Sequence, residues 1–339
     1  MMETEDISSI KISVTGGAGF IGANLIHKLI DQGFTIGSAL DSFKPSYEGN
    51  WCNLRQEFLI PNVKIQVCDM LNEDAESLAK KFDNSEIIIH LAAFPGIRQG
   101  EIKSYDYLVN NVLSTGLLLE ACKINKNVKA ILFASSSSVY GDLGQFGLSK
   151  EDDANGSQLK SNYAMTKWIN EIQFKTWQST LNIPIFGLRF FTVYGEWGRP
   201  DMAYSIFTKK ILRGEPINIY GKDGGRRTMT HIDDATMQVI RLVKYLKSSN
   251  YDSNLGFEIF NIGSVNSITA LGMADFISKI VNKKAIYNFK PRPNGDAIAT
   301  SADLTKTNKY IGTFKIRDIS ESLESYVKWH QDNVNFFTK

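Results

Sequence analysis

Little in this 339-residue chain points to a disulfide scaffold, a metal, a membrane or a polyanion. It contains only three cysteines, Cys52, Cys68 and Cys122, widely separated and without CxxC spacing. That excludes a disulfide framework and reads as reduced thiols of a cytosolic protein. The four histidines, His27, His90, His231 and His330, show neither HExxH nor any other ligand spacing, so they read as structural and no metal is implied. A net charge of +2 at pH 7 sets up no field for nucleic acid, and a local cluster such as Arg226 and Arg227 suits one phosphorylated small molecule better. No stretch approaches the roughly 18 consecutive apolar residues of a membrane span. Residues 1–9 are acidic and polar, not a basic segment leading into an apolar one, so the cytoplasm is the expected location and no membrane is a partner. Internal repeats, heptads and low-complexity tracts are also missing.

What is present suffices for a large folded core. With 43% hydrophobic and 22% charged residues, a chain of this length buries roughly 75% of the surface its unfolded form exposes. Short β-rich apolar runs at Lys11–Thr15, Phe34–Leu40, Val63–Cys68, Ile87–Leu91, Val128–Ala134 and Pro184–Arg189 alternate with helical periodicity over 20–32, 73–82, 104–125 and 160–181. Such alternation predicts a parallel sheet covered by helices on both faces. After Phe191 the order changes: Gly- and Pro-rich loops appear, a helix is expected over Asp233–Lys247, and a strand over Phe257–Ile262 returns to the sheet. The expected fold class is therefore α/β, a Rossmann-type doubly wound parallel sheet with a smaller, discontinuous C-terminal α/β domain. The larger domain should take residues 1–191 plus about 229–264, and the smaller one 192–228 and 265–339.

The first strand runs into Gly16, Gly17, Ala18, Gly19, Phe20, Ile21, Gly22 and then a helical pattern. That is the strand, turn and helix order a phosphate loop requires. Gly16 permits the tight turn, Gly19 lets backbone approach a pyrophosphate, and Gly22 allows close helix packing, while the amides of the first turn, at Phe20 and Ile21, face the phosphates. Asp41 ends the second strand about 20 residues later, where a carboxylate accepts hydrogen bonds from an adenosine ribose and repels a 2′-phosphate; Ser42 and Phe43 beside it offer no arginine. The expected cofactor is NAD. Asp69 after the third strand and Leu91, Ala92 and Ala93 after the fourth fall where strand-end loops meet the adenine and ribose.

Tyr163 and Lys167 stand at i and i+4 in SNYAMTKWINE, on one face of a helix. A tyrosine of ordinary pKa, about 10, is a poor base at neutral pH. An adjacent ammonium favours the phenolate and lowers that value toward working pH. The run Phe133–Gly141, FASSSSVYG, ends a strand in hydroxyls where the ligand crevice of such a sheet lies, and one of its serines can hydrogen-bond a substrate hydroxyl or ketone.

Together the first loop, SSSSVYG and YAMTK resemble an extended short-chain dehydrogenase/reductase, of the branch that acts on nucleotide sugars, over nearly the whole chain. The resemblance implies a catalytic triad of Ser136, Tyr163 and Lys167, with Asn110, Asp69, Met70 and Phe191 as further cofactor contacts. Relatives that dehydrate or decarboxylate the sugar carry an acid directly before the Val-Tyr-Gly of this segment. Here Ser137 and Ser138 stand there, which leaves oxidation and return of the hydride, an epimerisation. The segment Leu188–Ala203, LRFFTVYGEWGRPDMA, and the following FTKKILRGEPINIY are similar to the UDP-glucuronate 4-epimerases. That likeness implies that Thr192 and Arg199 hold a sugar carboxylate, that Ser136 and Ser137 meet the sugar, and that Arg98, Tyr220, Arg227 and Arg292 meet the phosphates or the uracil. Several positions depart from the pattern: Phe94 and Pro95 replace a polar and a small residue, Glu196 stands where proline is usual, and the run TMTHIDD, which contains His231, replaces a more acidic and aromatic version.

The expected partner is thus a UDP-sugar, through a 4-epimerase acting on UDP-glucuronate. A 4-epimerase of neutral UDP-sugars and a non-enzymatic NAD-binding regulator are the alternatives. The helices over 104–125 and 160–181 are apolar on more than one face, with Leu108, Val112, Leu117 and Leu118 on one and Trp168, Ile169, Ile172 and Trp177 on the other. One such face should meet the sheet and another a second subunit, and the resemblance implies a homodimer.

Overall fold

Runs such as Ile12–Thr15 and Ile87–Ile89 are too short for helices yet rich in β-branched residues, and they form the middle of a sheet in which both faces are covered. Ile12, Val14, Ile87, Ile88 and Ile89 have no exposed surface. A computed structural model describes residues 7–44, 63, 65–97, 103–293 and 297–333. The chain divides into two compact units: Met1–Val139 with Ser161–Arg189 and Thr236–Phe260, and Tyr140–Lys160 with Phe190–Ala235 and Asn261–Lys339.

In the first unit, β1 (Lys11–Thr15), α1 (Phe20–Asp31), β2 (Thr35–Asp41), β3 (Ile65–Val67), α2 (Ala75–Lys81) and β4 (Ile87–His90) follow one another. Then come α3 (Ser104–Tyr107), a π-helical segment (Leu108–Leu113), α4 (Ser114–Ile124), β5 (Ala130–Ser136), α5 (Asn162–Leu181) and β6 (Ile185–Phe190). The seven-stranded sheet has the order Phe257–Ile262, β6, β5, β4, β1, β2, β3. Pairs β2/β3, β1/β2, β1/β4 and β4/β5 run parallel. Because the chain moves outward in one direction from β1 through β2 and in the other through β4, a crevice opens at the strand C-termini between β1 and β4. Helices α2, α4 and α5 cover one core cluster, in which Leu78, Leu118 and Phe174 meet Ile88 and Phe133 of the sheet. The Phe133 and Phe174 rings stack at 3.9 Å between centroids.

The second unit is built around β9 (Arg226–His231), which follows β7 (Thr192–Tyr194), α6 (Ala203–Arg213) and β8 (Ile217–Tyr220). After β9 the chain passes through α7 (Ile232–Leu246) and β10 (Phe257–Ile262), most of which belong to the first unit, and the second unit continues with β11 (Ser267–Thr269), α8 (Ala270–Ile280), β12 (Tyr287–Lys290), β13 (Ala299–Thr300), α9 (Thr305–Ile311) and α10 (Ile319–Asp332). Strand β9 pairs parallel with β7 and β13 and antiparallel with β11. Tyr204, Phe207, Ile217, Met273 and Tyr326 lie in its core.

Two features differ from the reading of the sequence. The larger domain was expected to run unbroken to residue 191, but the segment Tyr140–Lys160 belongs to the second unit. The reason is pairing: Gly141 turns the chain at φ +56°, the Ser149 amide donates to the Ser301 carbonyl at 2.7 Å, and the Asp142 carboxylate accepts from the Ile298 amide at 2.8 Å. The helix expected over 104–125 contains the π segment at Leu108–Leu113, a local widening that apolar periodicity does not reveal.

Candidate active site

The turn after β1 is shaped by what it must pass. Gly16 adopts φ +72°, and a Cβ there would lie 2.7 Å from the Ala92 amide nitrogen, so only glycine lets the loop close on the end of β4. The Leu91 amide donates to the Thr15 carbonyl at 3.1 Å and the Ala92 amide to Thr15 Oγ1 at 3.3 Å. The glycine loop and the segment Leu91–Ala93 are thereby brought together. At Gly22 a Cβ would lie 2.1 Å from the Gly16 carbonyl oxygen, so the loop's own backbone, and not the sheet alone, requires this glycine. Helix α1 starts at Phe20 with Gly19 as its N-cap and no side chain capping it. The first-turn amides, among them those of Phe20 and Ile21, form a positive helix terminus suited to a pyrophosphate.

Asp41 closes β2 and is tied to that loop: its carboxylate accepts from the Ala18 amide at 3.0 Å and from the Phe43 amide at 2.9 Å. A carboxylate at the end of β2 is the acceptor that ribose hydroxyls require. Asp69 accepts from the Leu71 amide at 3.3 Å and forms an ion pair with Lys44. Met70 has its side chain in the core cluster beside Leu40 and Cys68. Phe191 lies in the second unit, stacked on Tyr140 at 6.1 Å. An uncapped helix terminus, a glycine loop with no room for a Cβ and a carboxylate at the end of β2 together fit a dinucleotide without a 2′-phosphate.

Helix α5 opens on a Ser161 N-cap, whose hydroxyl accepts from the Ala164 amide at 3.1 Å, and this places Tyr163 in the first turn and Lys167 one turn on. Lys167 is only 3% exposed. Its ammonium donates to the Ala134 carbonyl of β5 at 2.9 Å and lies 5.9 Å from the centroid of the Tyr163 ring. Burial pushes the Lys167 ammonium down to about 8, an effect partly offset by the Glu171 carboxylate. Glu171 is itself buried, gripped by Arg189 through Nε at 2.9 Å and a terminal nitrogen at 2.8 Å, and it accepts from the Ser135 hydroxyl at 2.5 Å. His90, buried between Thr15 and Thr115, is pushed down to about 3 by burial and then by the Lys167 charge, so it stays neutral at working pH. Ser136 ends β5, its Oγ accepting from the Ser138 amide at 3.1 Å, and Ser137 beside it is buried.

Asn110, expected to touch the cofactor, turns back to donate to the Asp106 carbonyl at 2.8 Å. Its neighbour Asn111 is the buried one. Asn111 accepts from the Phe94 amide at 2.6 Å and donates to the Phe94 carbonyl at 3.1 Å and to Thr166 Oγ1 on α5 at 3.0 Å, so it ties the β4 loop to the helix of Tyr163 and Lys167. The pair of adjacent asparagines was visible in the sequence; which of them turns inward is decided by the π segment that contains both. Tyr107, also missed, sets its ring edge-on to Tyr163 at 6.3 Å and donates its hydroxyl to the Pro95 carbonyl at 2.6 Å. Phe94 meets Tyr107 edge-on at 6.0 Å, so the two departures at 94 and 95 contact the residues that frame Tyr163.

In the second unit Thr192 begins β7, opposite Met229 of β9. Arg199 is forked onto the carboxylate of Asp201, with Nε at 3.0 Å from one oxygen and a terminal nitrogen at 2.5 Å from the other. Arg227 and Arg292 converge: both donate to the Ala297 carbonyl, at 2.7 Å and 3.0 Å. Tyr220 ends β8 opposite Lys290, two residues before Arg292. Arg98 lies outside the described residues. Among the described residues no group of three or more His, Cys, Asp and Glu side chains is arranged to hold a metal ion.

A family model for the NAD dependent epimerase/dehydratase family matches residues 12–263. The chain belongs to that family. UDP-glucuronate 4-epimerase 1 of Arabidopsis thaliana is 35% identical over 97% of this chain and 79% of its own length. Among solved structures, UDP-glucuronic acid 4-epimerase of Bacillus cereus, in complex with UDP-glucuronic acid and NAD, superposes with a TM-score of 0.85 at 30% identity, covering 95% of this chain and 99% of that one. MoeE5, solved with UDP-glucose and NAD, gives a TM-score of 0.80 at 28% identity over 96% of this chain and 99% of that one. The fold is thus that of a family of NAD-dependent nucleotide-sugar enzymes.

Glu196, which stands where proline is usual in the resembled pattern, meets a residue of the run TMTHIDD. Glu196 lies 3.2 Å from the His231 ring nitrogen Nε2. Burial pushes the Glu196 carboxyl up, but the bond from His231, with help from its own backbone and from Ser325, holds it below the usual carboxylate range.

The buried charges around Tyr163 make one pH dependence calculable in sign. Lys167 loses its proton near pH 8 in the wild type, and Glu171 raises that value. Glu171→Gln should therefore move the alkaline limb of the pH–activity profile to lower pH. It also leaves the buried Arg189 without its counter-charge, which should cost about 3 kcal/mol in urea unfolding. An unmoved limb would show that the Glu171 charge does not act on Lys167.

Proposed function

We propose that this protein is an NAD-dependent 4-epimerase that interconverts UDP-glucuronate and UDP-galacturonate. In this reading the first unit binds NAD and carries the proton-transfer residues, and the second carries the residues that recognise the nucleotide sugar. The observation that carries the reaction is the buried Lys167 ammonium beneath the Tyr163 ring on a dinucleotide-binding sheet. When bound, NAD supplies the hydride acceptor and donor. Tyr163, held as phenolate by the neighbouring ammonium, accepts the proton of the sugar 4-hydroxyl, while Ser136 orients that oxygen. The 4-keto sugar turns over about its phosphate linkage and so presents the opposite face of C4 for the returning hydride, and Tyr163 returns the proton to the C4 oxygen. Ser137 and Ser138 provide no carboxylate for dehydration, so epimerisation is the outcome.

The choice of a uronate rests on Arg199, which already takes a carboxylate with both ends of its fork. The intermediate from a glucuronate is a β-keto acid that loses CO₂ when its C5–carboxylate bond aligns with the ketone π system. Thr192 and Arg199 would hold the carboxylate out of that alignment. One observation favours a second reading: the carboxylate that fills the fork is Asp201, and if it does not yield to substrate the enzyme prefers a neutral sugar such as UDP-glucose or UDP-N-acetylglucosamine.

Location and assembly follow the same reading. Among the described residues no helix is long and apolar enough to cross a membrane, and we place the enzyme in the cytoplasm. Tyr105, Leu113 and Ile172 are exposed by 77%, 60% and 51% on the outer faces of α3, the π segment and α5, which supports a homodimer through these helices.

Incubation of the purified protein with UDP-glucuronate, UDP-glucose and UDP-N-acetylglucosamine, followed by product chromatography, should show turnover of the first at the highest kcat/KM. Tyr163→Phe should lower kcat by about 100- to 10,000-fold; silence of the wild type on every sugar would mark an NAD-binding regulator. Arg199→Ala should raise KM for UDP-glucuronate and release some pentose product, and an unchanged KM with an unchanged product mix would remove its role. Light scattering should give twice the chain mass for the wild type and a monomer for Leu113→Lys with Ile172→Lys; a wild-type monomer would end the dimer assignment.

A further inference from the structure

The loop from Gly195 to Asp201 carries Arg199, and its backbone is constrained at Gly195, Trp197 and Gly198. Gly195 adopts φ +135°, and a Cβ there would lie 2.7 Å from the Ile232 side chain and 3.1 Å from His231 Nε2. Trp197 adopts φ +61° and sets its ring edge-on to Trp329 of α10 at 5.3 Å. Such a conformation is costly for a tryptophan and persists only where surrounding contacts over-determine it. At Gly198 a Cβ would lie 1.9 Å from the Tyr204 hydroxyl.

Between these points Glu196 is a charged anchor to elements outside the loop. His231 Nδ1 accepts from the Asp233 amide at 3.2 Å, which leaves the ring proton on Nε2, pointed at Glu196 Oε2 at 3.2 Å. The other Glu196 oxygen accepts from Ser325 of α10 at 3.3 Å. His231 is fixed in turn, with its ring edge-on to Tyr194 at 5.5 Å and only 3% of its surface exposed. Asp233 beyond it pairs with Arg317. The loop is therefore bolted through Glu196 to the end of β9 and to α10, three residues before the guanidinium that Asp201 occupies.

We propose that the Glu196–His231 pair is a positioning clamp that sets the selectivity of this enzyme for a sugar bearing a carboxylate over a neutral one. It acts through Arg199: with the loop bolted, the guanidinium is presented as a fixed fork, held by Asp201 until another carboxylate takes its place. With the clamp removed, the fork loses its fixed direction, and a carboxylate, which needs both of its bonds, suffers more than a neutral sugar, which needs neither. The proposal rests on the uronate reading of the preceding subsection.

The test compares the wild type with Glu196→Ala, His231→Phe, their double variant and Glu196→Gln, with melting temperatures recorded for each. For each protein, kcat and KM are measured with UDP-glucuronate, and the inhibition constant of UDP-glucose as competing ligand reports carboxylate-free binding. Each of the first two variants should raise KM for UDP-glucuronate about tenfold while kcat and the UDP-glucose constant stay within about twofold. The double variant should be no worse than either single one, because both break the same bond. Glu196→Gln keeps an acceptor for His231 and should restore KM to within about threefold of wild type. Should Glu196→Ala fail to fold, His231→Phe and Glu196→Gln carry the same comparison. Equal shifts of both sugars, additive effects in the double variant or an unmoved KM would overturn the clamp. A wild type inert toward UDP-glucuronate but active on a neutral sugar would instead overturn the uronate reading, and the inference with it.

Discussion

An ammonium placed in a protein interior has to be compensated, and at Lys167 the compensation organises the first unit around it. Its own bond goes to a β5 carbonyl, and the nearest opposite charge, Glu171, is shared with Arg189. The buried cluster of Lys167, Glu171 and Arg189 therefore keeps one uncancelled positive charge beneath Tyr163. In a low-dielectric site that residual charge favours an anion at the phenol, which is what proton transfer needs. Burial first, and then the same field, keep His90 neutral, and its ring is satisfied by two threonine hydroxyls.

The supports of this charge come from separate stretches of chain. Asn111 fastens the loop after β4 to α5 through Phe94 and Thr166, and Thr166 donates onward to the Tyr163 carbonyl at 2.8 Å. Asn111 can reach both because it sits in the π segment, where the helix is locally widened. On the other side the glycine loop closes on Ala92, so that loop and the helix of Tyr163 and Lys167 share the end of β4 as a common footing.

The second unit uses a different economy. The groups assigned there to recognition, and Glu196, lie nearer the surface than Lys167, and each is held by a named neighbour: Arg199 by Asp201, Arg227 and Arg292 by one carbonyl, Glu196 by His231. Glu196, which stands where proline is usual, and His231, within the run TMTHIDD, lie 35 residues apart in sequence and form one bond. Such a pair is invisible to any reading that weighs positions one at a time.

Strand and helix alternation, the glycine loop with Asp41, and Tyr163 with Lys167 were legible from the sequence because each is a local pattern: apolar period, turn chemistry, or two side chains one helical turn apart. Those patterns determined the fold class, the cofactor and the reaction type. Tertiary structure alone decided that Asn111 and not Asn110 turns inward, that Met70 lends its side chain to the core, that the segment Tyr140–Lys160 joins the second unit, and that Arg199 already holds a carboxylate. Each of these depends on which distant atoms are left needing a partner once the chain has folded, and no local periodicity encodes that.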